Sequence, residues 1–129
     1  MMRDQKLWSW HVGAGIVILV FLCLHMTIMH LDSILRLPAL NPAGGEPIDW
    51  QNVVARGKTL FFPVTYVVLL GAALFHGLYG LRNVLFELGP KPGLRSALSV
   101  LLIVVGLGLF VLGTWSALAS HSLARTLSL

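Results

Sequence analysis

Residues 59–81 read TLFFPVTYVVLLGAALFHGLYGL, without a single Lys, Arg, Asp or Glu. About 20 predominantly apolar residues cross a hydrocarbon core about 30 Å thick, so this stretch is long enough to span a bilayer. Working outward, residues 7–31 (LWSWHVGAGIVILVFLCLHMTIMHL) and 96–124 are equally free of the chain's nine Lys/Arg and five Asp/Glu residues. Three charge-free windows predict three spans. The composition agrees, because 57% hydrophobic against 11% charged residues in a chain of 129 is too apolar for a soluble domain. A soluble enzyme, a nucleic-acid binder and a disordered tail are excluded together.

Inside a bilayer every backbone polar group must be paired within the protein, so isolated runs of this length are helices; a barrel would need many short alternating strands. Residues 1–129 therefore read as one all-α integral membrane domain with spans at about 7–31, 58–88 and 94–119. Trp8 and Trp10 start the first span as interfacial aromatics. Pro63 falls in the first turns of the second, where a missing N–H costs least. Gly89-Pro90 and Pro92-Gly93 form a tight link to the third, which Trp115 closes. Residues 32–57 form an outer loop that opens irregularly at Pro38, Pro42, Gly44, Gly45 and Pro47. There Asp49 is placed to cap a short surface helix carrying Trp50, Val53, Val54 and Arg56. With the N-terminus inside, the inner segments hold Arg3, Lys6, Arg82, Lys91 and Arg95, and the outer ones Arg36, Arg56, Lys58 and Arg125. That excess favours a cytoplasmic N-terminus.

Other chemistries find little footing. The one cysteine, Cys23, lies mid-span and cannot form an internal disulfide or hold an iron–sulfur cluster, and it reads as a small apolar filler. Gly13-Ala14-Gly15 has no strand before it and is not a dinucleotide fingerprint. The net charge of +4 comes from basic residues scattered at span ends, where they anchor helices to headgroups and form no nucleic-acid patch. The first run is too long for a cleaved signal peptide and is expected to stay in the mature protein.

His25 and His76 are the informative residues, because an ionisable side chain deep in a span is expensive and usually kept for function. At 100° per residue, Leu69, Ala72, Gly80, Asn83 and Glu87 fall within about 40° of His76. Ala72 and Gly80, one turn either side, leave room for something flat and wide. A porphyrin suits that space, since its edge must approach the backbone while the imidazole reaches the iron. The competing reading of a buried His is an interhelical hydrogen bond, and the pattern around His76 leaves both open. His30 reads as a wetted end residue, and His11 and His121 as interfacial. If Trp10 and Arg82 mark the inner boundary, His76 lies about 9 Å from it and His25 about 22 Å. Two ligands offset by about 13 Å cannot share one iron. Each serves a separate haem completed by a second chain, or only one is a ligand.

The segment LFHGLYGLRNVL, residues 74–85, resembles the second helix of membrane anchor subunits of succinate dehydrogenase and fumarate reductase, respiratory complex II. In that family's pattern the His, here His76, is a haem b ligand, followed by a small residue, two variable positions, Gly80 and a polar or basic turn, here Arg82 and Asn83. The first helix, from Trp10-His11 through Gly15 to His25, is similar to that of two-haem anchors, in which a His ten residues after a Gly binds the second haem. By that match His25, rather than His30, is the ligand. Ile48-Asp49-Trp50 through Ala55-Arg56 is similar to the loop before helix two of two-chain anchors. Where many single-haem anchors carry an Asp-Tyr pair, this chain has Glu87 and Leu88, keeping the carboxylate and lacking the phenol that contacts quinone.

The resemblance implies half of a heterodimeric haem-binding bundle in a bacterial or archaeal cytoplasmic (inner) membrane. It would hold one or two haem b groups shared with a second anchor subunit. An iron–sulfur subunit and a flavoprotein subunit would dock on it, with membrane quinone as the substrate of the complex and catalysis lying in other subunits. His76 and His25 would ligate iron, and Ala72 and Gly80 make room for haem. On the helical wheel Asn83 shares the face of His76 and is the better candidate to reach a propionate or a quinone at the inner end, whereas Arg82, about 120° away, is left to headgroups, the docked subunit or a propionate reached by its long side chain. Two alternatives stand beside it: a cytochrome b-type anchor of another quinone-linked dehydrogenase, and a cofactor-free helical scaffold. Gly106, Gly108 and Gly113 in the third span suit either, because small residues let helices approach closely.

Overall fold

A computed structural model describes residues 2–31 and 44–127. Asp32, Arg36, Pro38 and Pro42, read above as the start of the outer loop, lie outside the described residues, as does the side chain of Arg3. The described elements are α1 (Met2–Met26), which continues as a π-helical turn (Thr27–Leu31), α2 (Trp50–Gly57), α3 (Phe61–Glu87) and α4 (Pro92–Thr126). α1 with its π turn, α3 and α4 are each long and apolar enough to cross a membrane. They lie side by side with α3 in the middle, packed against α1 on one flank and α4 on the other; among the described residues the α1 and α4 backbones do not pack on one another, although Leu7 of α1 reaches the α3–α4 seam.

Lipid tails are as apolar as leucine, so these helices gain little from burial and are held by close packing instead. On the α3–α4 seam each small residue receives a large one. The Phe110 ring covers Gly71, Leu78 fills the space at Gly106, and Leu70 fills that at Gly113. Ser99, Leu102, Gly106, Phe110, Gly113 and Ala117 recur at three- and four-residue spacing as the half-buried stripe of α4. Its opposite side is bare, Val104, Val111 and Leu112 each being 60% exposed or more.

The helix ends follow local chemistry. Pro63 sits in the first turn of α3, where its missing N–H leaves no bond unmade. Gly89, at φ 67°, ends α3 in the left-handed region that a side chain would oppose, and its N–H bonds Phe86 O at 3.2 Å. Pro92 then opens α4 at its first position. Near the other end of α1, the Thr27 hydroxyl donates to Cys23 O at 2.8 Å. That back-bond, one turn down, falls where the helix widens to the π form.

Two expectations need correction. Asp49 precedes α2, yet its carboxylate does not cap the helix; Oδ2 accepts from Glu46 N at 2.9 Å and closes the preceding turn instead. α4 runs past residue 119 to Thr126 because its last turns carry α2. His121 Nδ1 donates to Gly57 O at 2.6 Å, and Ala124 is buried against Gly57. α2 is seated from within as well. Asn52, fully buried, donates to Gly44 O and Glu46 O at 2.8 and 3.0 Å, and buried Arg56 bonds Pro47 O.

Candidate functional site

His76 stands on α3 facing α1. Its Nδ1 lies 3.0 Å from His11 O, and because a carbonyl can only accept, Nδ1 is the donor; in the neutral ring Nε2 then keeps the lone pair. Fixing one ring nitrogen on a backbone carbonyl is how proteins orient an imidazole whose other nitrogen binds a metal. Nε2 has no hydrogen-bond partner among the described residues and is not a sealed atom.

The surroundings of this ring were only partly visible beforehand. The His11 imidazole stacks on that of His76 with centroids 4.0 Å apart and planes 8° from parallel. Tyr79 leans on His11 at 5.3 Å, and Phe75 stacks on Tyr79 at 5.8 Å. Gly15 admits the His76 ring, for a Cβ there would lie 3.1 Å from Cε1 and 3.3 Å from Nδ1. Gly80 does the same for His11, whose Cε1 would stand 3.4 Å from an added Cβ. The room at Gly80 is therefore occupied by His11, whereas Ala72, on the other side of His76, is half-buried. His11, read from sequence as interfacial, belongs to the site, and its Nδ1 is buried without a partner.

This contact also corrects the depth assignment. His11 and His76 share one level, so Trp10 and Arg82 do not mark the same plane; Arg82 lies about 9 Å beyond it. His25 follows His11 by 14 residues, about 21 Å along α1. It meets Tyr66 edge-on at 6.4 Å, and Tyr66 is ten residues, about 15 Å, from His76 on α3. The two histidines are thus farther apart than the 13 Å read from the boundary residues. His25 lines a small cavity with Ile28, Arg56, Phe62 and Tyr66. His30 is exposed on the π turn.

At the end of α3, Arg82 turns toward α4. Nε donates to Ser99 Oγ at 3.3 Å, Nη1 to Asn83 Oδ1 at 3.4 Å, and the guanidinium lies 4.2 Å from the Phe86 ring centre. Arg82 and Asn83 are both half-buried and act on one another, while Glu87 is exposed. Among the described residues no group of three or more His, Cys, Asp or Glu side chains could hold a metal ion. What this chain offers an iron is one axial nitrogen at a time. The Nε2 lone pair of a neutral His76 ring could supply such a nitrogen. Comparison with protein-family models, characterised proteins and solved structures finds no match.

Proposed function

We infer that this chain is a haem b-binding membrane anchor subunit of a succinate:quinone oxidoreductase. It would pair with a second anchor subunit in a bacterial or archaeal cytoplasmic membrane, N-terminus inside, and dock the iron–sulfur and flavoprotein subunits. The supporting observation is the His76 imidazole, tied at Nδ1 to His11 O and unpartnered at Nε2 within an apolar span. Haem held there would supply one-electron redox chemistry to the path toward membrane quinone. This chain's own part is to fix the imidazole, surround it with low dielectric and close helices around it. His25 is the candidate ligand of a second haem near the opposite end.

The stack and hydrogen bond of His11 and His76 also favour a second reading, in which they are a completed interhelical contact in a cofactor-free scaffold. An interhelical hydrogen bond in a bilayer averages about 0.6 kcal/mol, which is slight support for a polar ring placed in a span. A cytochrome b anchor of another quinone-linked dehydrogenase shares the haem chemistry and differs in the soluble subunits that co-purify. Pyridine-extracted haem per purified complex separates these readings. His76→Ala is expected to remove one haem; unchanged haem content, or none in the native complex, refutes the assignment.

A further inference from the structure

A groove of about 650 Å³ follows the seam between α3 and α4, with Leu7 of α1 also lining it. Leu74, Leu78, Leu102 and Ile103 make it apolar along its length, and Arg82 and Ser99 stand together at the end nearest the α3–α4 turn. Phe110, laid against Gly71, closes the far end. Arg82 and Gly71 are 11 residues apart on α3, as are Ser99 and Phe110 on α4. The groove is therefore about 16 Å long, half of a hydrocarbon core of about 30 Å. An acyl chain anchored at one interface needs one leaflet.

Among the described residues no acid pairs with the basic groups at the polar end. Arg82 and Arg95 lie 4.2 and 5.4 Å from the centre of the same Phe86 ring. Their hydrogen bonds go to neutral acceptors, Ser99 Oγ, Asn83 Oδ1 and Pro90 O. Lys91 is exposed in the adjoining turn, and the nearest acid in sequence, Glu87, points to the surface. Basic groups at the mouth of an apolar cleft between spans select anionic headgroups over neutral ones. We propose that this groove holds one anionic phospholipid from the leaflet on the side of the α3–α4 turn. Its phosphate lies at Arg82 and Arg95, and one acyl chain follows the seam to Phe110. This does not draw on the haem reading.

The test uses the full chain in a neutral maltoside detergent, titrated with dioleoylphosphatidylglycerol or dioleoylphosphatidylcholine and read by native mass spectrometry of retained lipid. Phosphatidylglycerol is expected to be retained preferentially. In R82Q/R95Q its affinity falls about fivefold per guanidinium removed, while that of phosphatidylcholine is unchanged. Ile103→Trp, at a position 60% exposed in the groove wall, blocks the acyl track and lowers retention of phosphatidylglycerol; Lys58→Gln, at the opposite end, leaves it unchanged. Equal retention of the two lipids by the native chain overturns the proposal, and this comparison stands even if the double variant does not fold. Retention that survives Ile103→Trp also overturns it, as does displacement of phosphatidylglycerol by equimolar decylubiquinone, which would make the groove a quinone site.

Discussion

The imidazole of His76 is positioned along its Nδ1–Cε1 edge by the His11 carbonyl and by the absence of a side chain at Gly15. Gly15 and Gly13 are two residues apart on α1, yet a Cβ on Gly15 meets His76 at 3.1 Å and one on Gly13 meets nothing within 4 Å. Gly13→Ala is thus expected to be silent, or slightly stabilising through better helix propensity. Gly15→Ala must push the imidazole by a few tenths of an ångström, and Gly15→Leu must part α1 from α3 at a cost of about 1–3 kcal/mol. Thermal midpoints of the three variants check this, and any haem spectrum should change in the order Leu, Ala, then no change for Gly13. A second substitution separates ligation from locking. His76→Gln can still donate an amide N–H to His11 O but offers iron no imidazole, so it should keep the fold and lose the haem. If haem is retained, or if fold and haem fail together, His76 is not acting as a ligand held by that bond.

Among the elements, α2 shows how a short helix outside the spans is held by polar groups. Asn52 is fully buried and satisfies two loop carbonyls. Asn52→Leu keeps the volume and leaves Gly44 O and Glu46 O without that donor, at about 1–3 kcal/mol. Amide hydrogen exchange across residues 50–57 should quicken, while the spans remain protected; unchanged protection of α2 would mean that its contact with α4 suffices. The spans themselves were legible because their signals are local. Charge-free windows set their number, and Pro63, Gly89-Pro90 and Pro92 set the boundaries of α3 and the start of α4. What escaped was relational. Ser120, His121, Ser122 and Arg125 look like the end of a span, and only the seat of α2 explains why α4 continues through them. The His11–His76 pair depends on how far α1 slides along α3, and Trp10 and Arg82 misled because interfacial residues need not lie at matching depths. Asp49 has the right residue type for a cap, but its carboxylate is claimed by the turn before it.

At the scale of the whole molecule, three helices in a row leave two broad faces uncovered, and no span window is more than 6% buried within the chain. Those faces must meet lipid or another protein. A layer of this kind cannot enclose a porphyrin, and the spacing of its histidines sharpens the point. His25 stands about 15–21 Å from His76 along the layer, whereas two imidazoles on one iron must each lie about 2 Å from it. No single haem can take both axial ligands from one copy. Under the proposed function, the chain expressed alone in a haem-replete host should therefore lack the low-spin bis-imidazole spectrum, and co-expression with a second anchor subunit should restore it. With both chains present, two bound haems would titrate at two potentials, and His25→Ala would abolish one and spare the other. A solitary, monomeric chain that shows a bis-imidazole spectrum would refute the shared site. So would loss of both potentials on changing His25 while the complex stays assembled, because groups so far apart along the layer have no common ligand through which to fail.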